Sequence, residues 1–198
     1  MNLPNKLTVL RILLVPVMVI VSFFNIPGAL LGVPMTMIVM DFIFIIASIT
    51  DKLDGYLARS RNQVTNFGKF LDPIADKILV IAAMILFVGM GRLPAWIPII
   101  VIFREFVVSG FRLIAVEQNG KVIAASFWGK LKTATQMVAL IIMFLDNNPY
   151  CECLKGTISG WPLAINIVTS LLITVSVVAT IFSGIDYLKG GKDLLKDK

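Results

Sequence analysis

Six long apolar segments dominate this chain and limit the folds that are open to it. They cover residues 7–24, 34–50, about 65–90, 95–116, 131–145 and 161–183. Hydrophobic residues make up 58% of the 198 residues, more than the core of a soluble domain requires. Because a lipid bilayer offers no partners for backbone polar groups, such segments cross it as helices. We therefore predict an all-α integral membrane protein with six transmembrane helices.

The basic residues predict how these helices are oriented. Of the 18 Lys and Arg residues, only Arg92 and Lys155 lie in the loops after the first, third and fifth segments. Arg104 and Arg112 lie inside the fourth segment, which leaves 14 on the other side. By the positive-inside rule that side is cytoplasmic. We expect a multi-pass plasma membrane protein with both termini in the cytoplasm, a membrane domain over 1–188 and a charged cytoplasmic tail over 189–198.

Composition narrows the chemistry. The net charge of +6 is explained by the predicted topology and by attraction to anionic lipid, rather than by binding to nucleic acid. We therefore expect no nucleic-acid partner. The chain has no His, which removes the usual general base and the commonest transition-metal ligand. Cys151 and Cys153 form a single CxC pair that predicts neither a zinc site nor a redox motif. The first apolar segment lacks a small-residue cleavage site, so we expect a permanent span.

A dense set of charges over residues 51–77 interrupts the apolar pattern. Asp51 and Asp54 are three residues apart and Asp72 and Asp76 are four apart, so on helices each pair shares a face. We expect the second helix to run on past Asp51 to about residue 60, and the third to begin near 65–67. Pro73 would then lie near the first turn of the third helix, unless Asp72 is itself the N-cap.

These carboxylates, without His or Cys, select hard divalent cations such as Mg²⁺ or Mn²⁺. Two such ions, about 3.5–4 Å apart, commonly serve displacement at phosphorus. The small residues Gly55, Ala58 and Gly68 would let a ligand approach the backbone, and Arg59 offers a donor fork for phosphate. The alternative is a solvated loop of acids and bases at the membrane surface.

From Asp51 to Asp76 the stretch reads D-x₂-D-G-x₂-A-R-x₈-G-x₃-D-x₃-D. This pattern matches, at every fixed position, the signature of the CDP-alcohol phosphotransferases, and the chain resembles that family. The resemblance implies a six-helix membrane fold, commonly a homodimer. It also implies transfer of a phosphatidyl or similar group from a CDP-linked donor to an alcohol, with release of CMP.

The same resemblance implies a role for each matched residue. Two divalent metal ions would be held by four aspartates: Asp51, Asp54, Asp72 and Asp76. Asp76, with Asp72 beside it, would act in catalysis as the base for the attacking hydroxyl. Gly55 and Ala58 would admit the cytidine, Arg59 would hold a donor phosphate, and Gly68 would belong to the same donor site. Since no Ser, Cys or His nucleophile is evident, we expect a single displacement.

The first segment carries a polar stripe formed by Asn5, Thr8 and Arg11, which recur every three residues and fall near one helical face. Two interpretations stay open at this point. The stripe is an interfacial anchor from which Arg11 reaches the membrane surface, or it is a polar face turned towards a bound ligand. In the second case it contributes to the donor site.

The fourth segment carries Arg104 and Arg112, and an arginine at membrane depth needs a partner. Glu105 is adjacent in sequence but on a different side of the helix, so the ion-pair candidates are Asp41 and Asp146. Snorkelling by Arg112 is a further alternative. We favour a basic pocket for an anionic acceptor, because several converging cations suit a phosphate dianion.

Three outer motifs, at residues 4–11 (PNKLTVLR), 104–112 (REFVVSGFR) and 129–133 (GKLKT), extend the resemblance over most of the chain. They resemble the branch of the family that uses CDP-diacylglycerol as donor and sn-glycerol 3-phosphate as acceptor. This resemblance implies that the acceptor phosphate is bound by four residues: Arg104, Arg112, Lys130 and Lys132.

Rival functions are weaker. Within the family the acceptor would be inositol phosphate, serine or phosphatidylglycerol, but a neutral acceptor gives the basic cluster no purpose. A divalent-cation transporter would place its acids at mid-span, often in broken helices or inverted repeats. Here three of the four aspartates lie at or beyond helix ends, and no repeat is visible. A non-catalytic membrane anchor would not require four spaced aspartates.

Overall fold

The computed structural model describes residues 2–60, 66–117 and 127–190, and six α-helices lie within them. The helices are α1 (Leu3–Ser22), α2 (Met35–Ser60), α3 (Asn66–Gly89), α4 (Trp96–Glu117), α5 (Phe127–Leu145) and α6 (Trp161–Gly190). A small antiparallel hairpin, β1 (Ala29–Leu30) and β2 (Val33–Pro34), joins α1 to α2. A short 3₁₀ helix, Glu152–Lys155, lies in the α5–α6 loop. The all-helical prediction is confirmed.

The second and third helices follow the predicted course. α2 is continuous to Ser60, as predicted, and α3 begins at Asn66, within the predicted start. Both alternatives for Pro73 are wrong, however. It lies seven residues inside α3, beyond the first turn, and Asp72 is helical rather than the N-cap. The interior proline costs this helix one backbone hydrogen bond, since proline has no N–H.

Three helix ends differ from the predicted ones. α1 begins at Leu3 rather than residue 7, because Pro4 in the first turn suits a helix start. α5 begins at Phe127, four residues before the predicted start at residue 131. α6 runs to Gly190, so the first two residues of the predicted tail are helical; residues 191–198 lie outside the described residues.

The core is built from apolar side chains where α2, α3 and α5 meet. Phe44, Phe87 and Phe144, one from each of these helices, have no exposed surface. The ring centroids of Phe87 and Phe144 are 4.6 Å apart, and those of Phe44 and Phe144 are 5.7 Å apart, with tilted planes. Such offset aromatic contacts stabilise beyond the area they bury. α1 packs on α2 and α3, and α6 packs on α4 and α5.

The loops after α1, α3 and α5 meet at one end of the helices. Nη1 of Arg92 donates to the carbonyl oxygen of Asp146 (2.7 Å), and the Tyr150 amide donates to the Arg92 carbonyl oxygen (2.8 Å). Nδ2 of Asn147 donates to the Gly32 carbonyl oxygen (2.6 Å) in the hairpin. These contacts agree with the prediction that the three loops share one side. We call this group of loops the loop cap.

A buried carboxylate organises the loop cap. Asp146 is only 2% exposed, and its Oδ2 accepts a hydrogen bond from Nδ2 of Asn166 (2.9 Å). The same Nδ2 reaches the Pro149 carbonyl oxygen (2.9 Å), while Oδ1 of Asn166 accepts from the Cys153 amide (2.8 Å). Burial lowers the pKa of the Arg92 guanidinium, and the Asp146 charge acts in the opposite direction. The contacts of Asp146 therefore lie within the loop cap.

The outer surface of the helices is strongly apolar. Leu13 of α1, Phe103 and Phe106 of α4 and Leu171 of α6 are 57–73% exposed. A continuous apolar exterior of this kind indicates a membrane protein. Within the described ranges, two stretches are long and apolar enough to cross a bilayer by themselves, Asn5–Ser22 and Trp161–Gly190. The six spans and the cytoplasmic termini stay predictions.

Candidate active site

The polar stripe of α1 is turned inwards. Asn5, Thr8 and Arg11 are 7%, 1% and 0% exposed, as expected for side chains that share one face of a packed helix. An arginine with no exposed surface does not reach the membrane surface, so the interfacial-anchor interpretation of Arg11 is wrong. The stripe faces the interior of the helix bundle.

Arg11 contacts the first aspartate of the signature. Its Nη1 lies 2.7 Å from Oδ1 of Asp51 on α2, and the two side chains are 0% and 39% exposed. An ion pair of this length, with one partner fully buried, limits the orientations open to the carboxylate. The structure therefore joins the N-terminal stripe to the aspartate stretch, a connection that spacing alone leaves open.

The other signature residues lie on the two helices that flank residues 61–65. Asp54, Gly55, Ala58 and Arg59 belong to the last turns of α2, and Gly68, Asp72 and Asp76 belong to the first turns of α3. Because both helices are continuous there, the two aspartate pairs keep the spacing that places each pair on one face. The structure does not describe the side chains of these seven residues.

A metal site is consistent with the chemistry of these donors. Among the described residues no group of three or more His, Cys, Asp or Glu converges, but three of the four signature aspartates are not among those side chains. Four carboxylates in a chain without His suit Mg²⁺ or Mn²⁺. The described member, Asp51, is partly exposed and so accessible to an ion.

Next to α3, which carries Asp72 and Asp76, cations from three helices converge on Glu105 of α4. Nη1 of Arg104 lies 2.9 Å from Oε1 of Glu105, and Nζ of Lys132 on α5 donates to the same oxygen. Nζ of Lys77, which follows Asp76 on α3, lies 3.8 Å from Oε2. Lys77 also donates to Oγ of Ser109. We call Lys77, Arg104, Glu105 and Lys132 the cation cluster.

The cation cluster corrects the prediction for Arg104. Glu105 was expected on a different side of α4, and the alternative to a basic pocket was an ion pair with Asp41 or Asp146. Adjacent residues do leave the helix about 100° apart, but both side chains are long enough to meet beside the helix. Asp146 instead binds Asn166 in the loop cap. The structure thus joins Arg104 to Lys132 through their shared partner Glu105.

The remaining predicted acceptor residues differ in position. Arg112 donates from Nη2 to the hydroxyl of Tyr187 on α6 (2.7 Å), and Arg104 donates from its own Nη2 to Oγ of Ser183 (2.5 Å). Lys132 is 6% exposed, whereas Lys130 is exposed. Residues two apart point to opposite sides of a helix. Lys130 is therefore not among the described contacts of the cation cluster.

Sequence reasoning set Glu105 aside as a partner and missed Lys77, Ser183 and Tyr187. Glu105 and Lys77 carried a usable signal, because charges near a membrane need partners. Ser183 and Tyr187 carried none, since their contacts with the arginines of α4 join residues 79 and 75 positions apart.

Comparison with known proteins decides the family. The family model described as CDP-alcohol phosphatidyltransferase matches residues 1–182. The chain belongs to the CDP-alcohol phosphatidyltransferase family. A relative from Bacillus subtilis (strain 168), named CDP-diacylglycerol–glycerol-3-phosphate 3-phosphatidyltransferase, is 40% identical over 200 residues, covering 98% of this chain and 97% of the relative.

Two further relatives cover nearly the whole of this chain. A Haemophilus influenzae protein with the same name is 38% identical, covering 99% of this chain and 96% of its own length. A Mycobacterium tuberculosis protein (strain H37Rv) named probable phosphatidylglycerophosphate synthase is 36% identical, covering 94% of this chain and 80% of its own length. The family resemblance drawn from the aspartate signature is confirmed, and the chain is similar to phosphotransferases along its length.

Proposed function

We propose that this membrane enzyme transfers the phosphatidyl group of CDP-diacylglycerol to sn-glycerol 3-phosphate, giving phosphatidylglycerophosphate and CMP. The names of its full-length relatives support this reaction. The observation that carries it here is the contact between Lys77 and Glu105, 3.8 Å long. Because Lys77 follows Asp76 directly, this contact brings the cation cluster to α3, the helix that carries Asp72 and Asp76. This contact supports a donor site and an anion site that lie next to each other.

The charge of the cation cluster supports a phosphate-bearing acceptor. Three cations surround a single carboxylate, so the cluster keeps an excess of two positive charges before Arg112 is counted. A phosphate dianion balances that excess. Serine or another acceptor without a phosphate would leave it unbalanced, at a cost that rises with burial.

In this proposal Asp51, Asp54, Asp72 and Asp76 hold two divalent ions, Mg²⁺ or Mn²⁺. When bound, the ions neutralise the donor diphosphate and stabilise the charge that develops on the leaving group. Arg11 orients Asp51, and the donor site is completed by Asn5, Thr8, Gly55, Ala58, Arg59 and Gly68.

The reaction balances as a single displacement. Asp76 accepts the proton of the acceptor hydroxyl as that oxygen attacks the lipid-side phosphorus. The bond from phosphorus to the CMP oxygen breaks, and its electron pair leaves with CMP. No covalent enzyme intermediate forms, so we expect inversion at phosphorus. Retention with a chiral phosphorothioate donor would contradict this mechanism.

Turnover of the purified protein tests the function. We expect CMP release and entry of labelled glycerol phosphate into lipid, only with Mg²⁺ or Mn²⁺ present. Asp76→Asn should abolish turnover while the protein stays folded, and Asp186→Asn, an exposed aspartate outside the signature, should not. Turnover with inositol phosphate but not glycerol phosphate would refute the acceptor. No CMP release with any acceptor would refute the enzyme and favour ion transport.

We further propose six membrane spans, an active site facing the cytoplasm and a homodimer. The chain offers a direct test of orientation, because both of its cysteines, Cys151 and Cys153, lie in the α5–α6 loop and are free. A membrane-impermeant maleimide should label them in intact spheroplasts as fully as in detergent. Labelling only after detergent is added would refute the orientation. Mass measurement of the detergent-solubilised protein tests the dimer.

A further inference from the structure

Tyr187, near the end of α6, contacts both arginines of α4 although nothing in the sequence marks it. It is 1% exposed. The Cζ atoms of Arg104 and Arg112 each lie 5.6 Å from the centroid of its ring. Its hydroxyl also accepts the hydrogen bond from Nη2 of Arg112 (2.7 Å). One aromatic side chain thus touches two cations.

This arrangement needs an explanation, because two guanidinium groups repel each other. Residues 104 and 112 are separated by about 12 Å along a helix axis, yet their side chains converge on one ring. The face of a tyrosine ring attracts cations, more strongly where water is excluded. The hydroxyl adds a directional hydrogen bond, because it fixes which nitrogen of Arg112 points towards α6. Tyr187 therefore contacts both cations and limits their orientations.

The neighbouring positions of α6 also face Arg104. Oγ of Ser183 accepts from Nη2 of Arg104 (2.5 Å). A Cβ atom at Gly184 would lie 3.5 Å from Cγ of Arg104, which is van der Waals contact. Residues 183, 184 and 187 share one helical face. This face of α6 thus carries a hydroxyl, a glycine and a ring, each against an arginine of α4.

We propose that Tyr187 is a positioning residue for the acceptor: it sets the spacing of Arg104 and Arg112 so that both guanidinium groups can bind one phosphate. The inference rests on the proposed function. It assigns part of acceptor selection to α6, a helix that contributes no signature residue. Tyr187 acts through the two arginines and takes no part in the displacement itself.

The test separates the two substrates kinetically. We expect Tyr187→Leu to raise KM for sn-glycerol 3-phosphate about tenfold, as the loss of a desolvated cation–π contact and a charged hydrogen bond implies. Tyr187→Phe keeps the ring and should raise it about threefold; it carries the test if the leucine variant does not fold. KM for CDP-diacylglycerol and kcat should stay within about twofold. The matched control is Phe182→Leu, which removes a ring of α6 that stacks on Trp128 at 4.9 Å.

Two results would overturn the inference: Tyr187→Leu matching Phe182→Leu in KM for glycerol phosphate, or a parallel rise in both KM values. If the wild-type protein shows no glycerol phosphate turnover, the proposed function fails separately. Calorimetry with inorganic phosphate then decides about Tyr187. Weaker phosphate binding by Tyr187→Leu than by wild type supports the positioning role, and equal binding, or none by wild type, refutes it.

Discussion

Replacing the carboxylate of the cation cluster is the most informative change to the buried charges. Glu105 is 11% exposed and Lys132 is 8% exposed as side chains, so water screens their contact little. Glu105→Gln leaves three cations facing each other without an anion. Breaking a buried ion pair by removing one partner costs about 3–5 kcal/mol. Because glutamine still accepts hydrogen bonds, we expect about 3 kcal/mol less stability.

The assay is thermal unfolding of the detergent-solubilised protein, with a double-mutant cycle. A loss of 3 kcal/mol lowers Tm by about 6–12 °C in a chain of this size. Lys132→Gln relieves part of the repulsion, so the double variant should be more stable than the two single losses added together, by about 2 kcal/mol. This coupling free energy, rather than either single loss, measures the contact between Glu105 and Lys132.

The matched control for this cycle is Lys155→Gln. Lys155 pairs with Glu152 at 2.7 Å, but its side chain is 66% exposed. Exposed pairs contribute little, so we expect Tm to change hardly at all. If Glu105→Gln changes Tm no more than this control does, or if the coupling with Lys132 is zero within error, the cation cluster does not stabilise the fold through its charges.

Three further predictions follow from the contacts described. Arg11→Gln removes the contact of a fully buried arginine with the partly exposed Asp51; we expect turnover to fall at least about tenfold, and unchanged turnover would refute the link between α1 and the aspartates. Asn166→Ala deprives buried Asp146 of a donor; we expect about 2–3 kcal/mol less unfolding free energy, with both KM values unchanged, so a changed KM would show that the loop cap affects the site. Chelation with EDTA should abolish turnover reversibly, and turnover that persists in EDTA would refute the metal requirement.

The course of the helices could be predicted because hydrophobicity and helix periodicity act locally. α2 and α3 begin within a residue or two of their predicted starts, and the aspartate signature identifies the family by itself. A local rule failed for the proline in α3. A proline normally marks the first turn of a helix, yet Pro73 lies inside α3.

Side-chain contacts across the fold could not be predicted for a different reason. The direction in which a residue leaves its helix follows from sequence spacing, but the reach of its side chain does not. Arg104 and Glu105 leave α4 in different directions and still meet. Tyr187 meets Arg112 only because α4 and α6 pack together, and no sequence pattern announces that packing.

The loop cap also has a consequence for biosynthesis. Its contacts join residues 54 and 115 positions apart, and its partners from α5 onwards are made last. Until residues 146 and 147 have been synthesised, the Gly32 carbonyl and the Arg92 side chain have no Asn147 or Asp146 to bind. Since domains acquire such distant contacts only after the later segments emerge, a nascent chain released before residue 146 cannot form these loop contacts. Truncated products of this protein should therefore be early substrates for membrane proteases.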